Sequence, residues 1–532
     1  MLDNLPGRQP SQKAEVILNQ PVASCSPEPE EFLFERPGMK DITWLKGDFE
    51  EMPKQFPQPD YTRYDNMSYI DIFESFLDED IIQLLVDESN KYALFCNKPH
   101  PNISEDEMKC VIAILIVTGY NELPGSEPGR DYYWDSKADM KNALVCDSMR
   151  RDRFRQIKYL HCSDNTKPHL EDKMWKLRPL MDLLKRKFID NWIPEQQLDY
   201  DESMIKYFGK HSCKQLIRGK PIRFGYKMWC LNSTSGYLVN FDLYQGKNPR
   251  GNSKYEVQFG KCAAPLINMI DEFPEHCKHL PIKFYFDNLS TSFNLLYYLK
   301  QKGYDGTGTM RENRIPKSCN LPPKKVMSKT KKRGDLVSAI DREDGILITK
   351  WMDNNVVIVA STCHGINPVT QAKRYSQSEK KIIQVSQPKL ITEYNECMGG
   401  TDFMDQQISR YRISLRRKKW CRSIFTWLLD AAVVNAWITS KRCKHLPPLS
   451  QLEFRREIAQ AYLSKFGSVP KGAGRPSTTG SSTSNNRVSD NLRYDRMDHL
   501  LTTIPNNKRR RCAEEGCTSS VRFMCLKCDV GL

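Results

Sequence analysis

Gln196-Gln197-Leu198-Asp199-Tyr200-Asp201-Glu202-Ser203-Met204-Ile205 reads as a β-strand carrying a carboxylate, Asp201. A carboxylate on a central strand is a fixed oxygen ligand for a divalent ion. One such Asp is weak evidence, because an Asp at a strand end is usually a turn residue. The reading therefore depends on whether the chain adds partner carboxylates and a basic surface.

Downstream, the pattern stays strand-like. Phe224–Leu231 and Gly236–Tyr244 flank the turn signal Asn232-Ser233-Thr234-Ser235-Gly236, which predicts a hairpin. Residues 252–270 end in a helix. Leu280–Phe286 is a short buried strand with Asp287-Asn288 at its end, and Phe293–Lys300 is helical. Three strands, a helix, a strand ending in Asp and another helix suit an RNase H-like α/β fold. That fold has one acid on its first strand and another just after its fourth.

Upstream, Ile70, Phe73, Phe76, Leu77, Ile81, Leu84 and Leu85 recur at helical spacing. Ser104-Glu105-Asp106-Glu107 is a capping box for the apolar helix that follows. Further helices start near Met149 and Lys176, so residues 68–192 are expected to be helical. The arginines at 150–155 suit either phosphate contacts or a salt-bridged helix face. Residues 1–60, rich in Pro and Glu, are expected to be a mostly disordered tail.

Beyond the core, residues 313–388 read as a β-rich insertion, in which Leu347–Trp351 pairs with Val356–Ala360. Gly399-Gly400 then turns the chain and Thr401 caps a helix. Asp402 and Asp405, three apart, are expected to share one face of it in its first turn, where the helix dipole favours their ionised forms. That helix leads into Arg410, Arg412, Arg416, Arg417, Lys418, Lys419 and Trp420. Ile424–Ile438 reads as a buried helix, Glu453–Phe466 as an amphipathic one, and residues 467–507 as a linker.

The 532-residue chain has 39% hydrophobic residues and a formal net charge of +15. Its basic runs, Lys324–Arg333, Arg410–Arg422 and Lys508–Arg511, point to a polyanion partner, most economically nucleic acid. Met1–Pro6 does not resemble a secretory signal. Asp430 and Asn435 interrupt the best candidate for a membrane span, so no membrane partner is expected. The 18 cysteines are read as reduced and intracellular.

Two constellations carry chemistry. Asp201, Asp287, Asp402 and Asp405 supply the hard oxygen ligands that two Mg²⁺ ions roughly 4 Å apart need for phosphodiester chemistry. Cys512-x₄-Cys517-x₇-Cys525-x₂-Cys528 has paired thiolate spacing beside the basic run Lys508–Arg511, and suits zinc. Lys508–Arg511 also suits nuclear import.

Taken together, Asp201–Ile205 with Phe208-Gly209-Lys210, Arg218–Lys227, Asp287–Ser292, and Tyr394-Asn395 with Met398–Gln406 resemble the motifs of the piggyBac transposases, in order and spacing. The resemblance covers about residues 60–465 and the tail beyond. It implies an RNase H-like core with an insertion, flanked by a split helical dimerisation and DNA-binding domain, and a C-terminal cross-braced zinc module. It also implies a homodimer that cuts and pastes double-stranded DNA at TTAA targets through hairpinned transposon ends, in the nucleus. Asp201, Asp287 and Asp402 match the catalytic triad, and Asp405 matches the additional acid. Thr401 stands where the family usually has Val. Leu289-Ser290 replaces an aromatic pair, which is expected to disturb packing behind Asp287. The sequence stops at Leu532, before the later Cys/His pairs of a cross-braced module, so one makeshift zinc site or none is expected.

The expected domains are a tail at 1–60; helical domain at 61–195 and 411–466; core at 196–312 and 389–410; insertion at 313–388; linker at 467–508; and cysteine-rich region at 509–532. The expected activity is a metal-dependent DDD transposase. The alternative is a domesticated nuclear DNA-binding protein that does not cleave.

Overall fold

The computed structural model describes residues 42–48, 51, 53–98, 101–123, 129–135, 137, 139–157, 161–166, 168–169, 171–246, 248–413, 419–468, 499–505, 508–514, 516–528 and 530–531. The chain forms two compact units, Met1–Pro470 and Lys471–Leu532.

The larger unit is built on a ten-stranded mixed sheet. Its strand Gln197–Lys206 is central in having a paired neighbour on each side. On one side this strand pairs antiparallel with Phe224–Ser233, which continues into the hairpin partner Leu238–Leu243. Gly236, at φ +85°, makes the turn, a backbone state that costs glycine little. On the other side the central strand pairs in parallel with Lys283–Phe286, and that strand pairs in parallel with Asp305–Thr309. This order is consistent with an RNase H-like core.

The sheet does not stop there. Val356–Ser361, Leu347–Met352, Leu336–Asp341 and Trp44–Leu45 extend it by successive antiparallel pairs. Three strands of the expected insertion therefore belong to the main sheet; only the hairpin Thr370–Ser376 with Lys381–Gln387 forms a separate one. Leu347–Met352 is buried along nearly its whole length, and a run buried on both faces needs cover that a small isolated hairpin does not provide.

The end of the expected tail is also structured. Trp44 packs edge-on to Phe293 and donates to Ser318 Oγ at 3.1 Å. Asp48 accepts from the Ile366 and Asn367 amides, and Glu51 pairs with Lys389 at 2.5 Å. Isolated apolar and acidic anchors of this kind leave no periodicity to read.

Helices cover the sheet. The Ser104–Glu107 capping box opens Glu105–Tyr120. Arg153 Nε and Nη2 each donate to the Glu107 carboxylate at 2.6 Å, so this arginine belongs to a salt-bridged face. The helix Trp420–Ser440 is buried from Ile424 onward. Its two polar interruptions both have partners. Asn435 receives the Leu238 amide at 2.8 Å and donates to the Leu238 carbonyl at 2.9 Å. Asp430 pairs with Arg455 at 2.9 Å, both fully buried, and accepts from the Ile413 amide. Among the described residues, no helix is long and apolar enough to cross a membrane.

Candidate functional site

The parallel pairing between Gln197–Lys206 and Lys283–Phe286 ends at Tyr200 opposite Phe286. Asp201 and Asp287 are the next residues on the two strands, so both stand where the sheet edge opens. Strand alternation sends Asp201 and Glu202 to opposite faces. Past Tyr200 that edge of the central strand is free, so both side chains reach it. The carboxylate oxygens of Asp201, Glu202 and Asp287 lie within 4.8 Å of one another.

Two lysines face this group. Lys220 Nζ is 3.6 Å from Asp201 Oδ2 and donates to the Glu202 carbonyl at 3.1 Å. Lys227 Nζ is 3.6 Å from Glu202 Oε2 and 3.8 Å above the Trp229 ring centroid. Burial raises the Asp287 carboxyl despite the Leu289 amide it accepts at 2.8 Å. Burial, with the Asp201 charge adding, pushes Glu202 up to about 7 against the opposing pull of the two lysines. Glu202 Oε2 is buried without a hydrogen-bond partner among the described residues. The all-oxygen donor set and this orphaned atom suit a hard divalent ion.

The turn after Asp287 is well held. Arg314 donates to the Leu289 and Thr291 carbonyls at 2.9 and 2.7 Å, and Ser290 Oγ reaches the Cys262 carbonyl. Leu289 and Ser290 therefore sit in a braced loop; sequence reasoning missed Arg314.

The other two acids lie on Gly400–Arg410, whose N-cap is Gly399, with no side-chain cap. Thr401 is not the cap. Its amide donates to Asp199 Oδ2 at 3.0 Å and its hydroxyl to Asn232 Oδ1 at 3.1 Å. The central strand thus caps the helix from below, through a fully buried carboxyl whose pKa burial raises well above the usual range. The fit is close: a Cβ at Gly400 would lie under 3.0 Å from both the Ser233 carbonyl oxygen and Asp199 Oδ1. Asp405 Oδ1 accepts from Ser203 Oγ at 2.6 Å. Burial pushes Asp405 up to about 6, so desolvation outweighs the dipole effect expected for it. Asp402 is exposed and is not one of the three carboxylates that meet at the sheet edge.

Of the basic residues, Arg410 is exposed and Arg412 is half-buried with Asp430 and Asp405 as its acidic neighbours. Arg416, Arg417 and Lys418 lie outside the described residues. Lys419 is exposed, with Nζ 5.4 Å from the Tyr92 ring centroid. Nearby, His161 stacks on Tyr92 at 3.5 Å. Burial holds His161 down to about 3, and Lys419, Lys176 and Arg422 add to the effect. These three cations and two rings form a basic, aromatic cluster. Arg422 closes the basic run Arg410–Arg422 noted in the sequence, whereas Lys176, read there only as a helix start, joins it only in space.

The family described as Transposase IS4 matches residues 68–437. PiggyBac transposable element-derived protein 3 of Homo sapiens is 40% identical over 472 residues, covering 87% of this chain and 74% of that protein. PiggyBac transposable element-derived protein 2 of Homo sapiens is 35% identical over 470 residues, covering 88% and 76%. The chain belongs to the piggyBac transposase family. Its fold is similar to that in a cryo-EM structure of a piggyBac transposase synaptic complex with hairpin DNA. The TM-score is 0.61 at 19% identity, covering 89% of this chain and 100% of that one.

This piggyBac-family chain ends in a second unit with its own small sheets, Leu501–Thr503, Phe523–Cys525 and Val530–Gly531 in one and Arg510–Arg511 with Ser520–Val521 in the other. The four expected cysteines do not form one cluster here. Cys525 and Cys528 converge with His499, whose Nδ1 is 3.4 Å from both sulfurs. Hydrogen bonds, first from the Cys528 amide, lower the Cys525 thiol to about 7. Cys512 and Cys517 pair separately; hydrogen bonds from Ser519, then Cys512, lower the Cys517 thiol. His499 was missed because it lies 26 residues before Cys525, outside any Cys-x₂-Cys spacing.

Proposed function

We propose that this chain is a cut-and-paste DNA transposase acting at TTAA targets. Its strand cleavage and strand transfer are served by two Mg²⁺ ions held by Asp201, Asp287, Asp402 and Asp405. The observation that carries this reading is the meeting of Asp201 and Asp287 at the open sheet edge, beneath a helix whose start is fixed to the same strand. When bound, the ions activate the attacking oxygen and stabilise the leaving one. Asp287 is oriented by the Leu289 amide and Asp405 by Ser203. Lys220 and Lys227 balance the acids in the absence of an ion.

The partner is double-stranded DNA, the transposon ends and a TTAA target, engaged by a nuclear homodimer. The basic run that supplies Arg410, Arg416, Arg417, Lys418 and Lys419 is assigned to its phosphates, together with Lys176 and Arg422. Arg412 serves the acids instead. Zinc at His499, Cys525 and Cys528 steadies the C-terminal unit.

The test is incubation with end DNA and Mg²⁺. Nicked and hairpinned products that vanish in Asp201→Ala, Asp287→Ala and Asp402→Ala support the reading; their absence from the unaltered chain refutes it. The exposed position of Asp402, apart from the three clustered acids, favours a second reading: a DNA-binding protein that does not cleave. Tight, salt-sensitive binding without products would establish that one.

A further inference from the structure

Glu202 is no part of the acid set that the proposed transposase reading uses, yet it is the most buried of the three acids that meet at the open edge. It is buried to 7% exposure. Its Oε2 has no hydrogen-bond donor among the described residues, although burying an unsatisfied carboxylate oxygen is costly. Lys227 Nζ stands 3.6 Å away, too far for a hydrogen bond, and is shared with the Trp229 ring. Glu202 also comes from the opposite face of the strand to Asp201, so Asp201, Glu202 and Asp287 converge from different directions. The three carboxylates stay within 4.8 Å of one another, with Lys220 and Lys227 each 3.6 Å from one of them and offsetting part of their repulsion.

We infer that Glu202 is a direct ligand of one divalent ion, in a site formed by Asp201, Glu202 and Asp287 that fills in the absence of DNA and without Asp402. This inference rests on the reading of the acids as a metal centre. It divides the two ion positions: one is preassembled at the sheet edge, and the other is completed on the helix carrying Asp402. Filling the first displaces the two lysines from the carboxylates.

The experiment is terbium titration of the full chain without DNA, exciting tryptophan. Tb³⁺ is a hard cation that takes carboxylate oxygens rather than thiolates. Trp229, against Lys227 and so beside Glu202, is the local sensitiser. Unaltered protein is expected to give sensitised emission that Mn²⁺ and Mg²⁺ compete away. Glu202→Gln is expected to weaken binding roughly tenfold or more, and Asp402→Asn to leave it unchanged. Lys227→Met, which removes the competing ammonium, is expected to tighten binding, and Glu202→Gln is expected to weaken it in that background too; an effect of Glu202→Gln that disappears there would make Glu202 a mere ion-pair partner and overturn the inference.

Unchanged binding in Glu202→Gln, equal losses in Glu202→Gln and Asp402→Asn, or binding that appears only with DNA each overturns the inference and leaves the metal-centre reading standing. No ion bound with or without DNA overturns both. Ion binding as expected without strand cleavage leaves the inference intact and removes the transposase reading.

Discussion

Replacing Gly400 by alanine tests how the third acid is held. An added Cβ would lie under 3.0 Å from the Ser233 carbonyl oxygen and Asp199 Oδ1, where ordinary contact begins at 3.4 Å. Neither neighbour gives way easily: Ser233 is in a paired strand, and Asp199 is buried and bonded to the Thr401 amide. The start of the helix must therefore retreat by about 1 Å, at an overpacking cost of about 1–3 kcal/mol. Asp402 and Asp405 ride on that helix. A misplacement of this size at a reacting centre costs about 100-fold in rate. Gly399→Ala is the matched control, since nothing lies within 4 Å of a Cβ there. The assay pairs urea unfolding with cleavage of end DNA in Mg²⁺ and with DNA affinity. Gly400→Ala is expected to lose stability and rate while its DNA affinity stays within a few-fold; Gly399→Ala is expected to keep all three. A Gly400→Ala protein as stable and as fast as the parent would mean that contact with the central strand does not set the position of Asp402.

Three further outcomes are expected. Asp430→Asn leaves Arg455 as a buried unpaired charge and costs about 3–5 kcal/mol in urea unfolding, whereas pairing Asp430→Leu with Arg455→Met recovers most of that loss. His161, held down to about 3, is neutral in the folded state; its contribution is complete above about pH 6.5 and is lost as pH falls toward 3. Between pH 6.5 and 5 the parent should lose about 2 kcal/mol more than His161→Gln, and parallel stability profiles would refute this. Zinc content measured by mass spectrometry should fall by one atom per chain in both His499→Ala and Cys528→Ser; an unchanged content in His499→Ala would return the site to the cysteines alone.

Much of the core was legible because its signals are local. The hairpin announced itself through two strand-like runs around a glycine-bearing turn, Asp201 through its place on a strand-like run, and Asp287 through its place just past a short buried strand. What escaped depends on contacts distant in sequence. Asp199 takes the capping role from Thr401 across 202 residues. Trp44 joins the sheet through Asp341, far along the chain. Glu202 was not read as a site residue, because its meeting with Asp287 depends on the pairing of the two strands stopping one residue before Asp201. The dipole expectation for Asp405 failed for a related reason: the depth of burial is a property of the packed helix, invisible along the sequence.

The edges of the large sheet also bear on how two copies could meet. Its strand order begins at Trp44–Leu45 and ends at Gln215–Leu216, each two residues long. Leu238–Leu243, the other outer strand on that side, is almost wholly buried, and Asn435 occupies both backbone groups of Leu238. Such edges offer a second chain almost no ladder to continue. Among the described residues, a longer open ladder is offered by the separate hairpin Thr370–Ser376 with Lys381–Gln387, seven residues in each strand, so strand-to-strand joining of two copies is expected there rather than at the two ends of the large sheet.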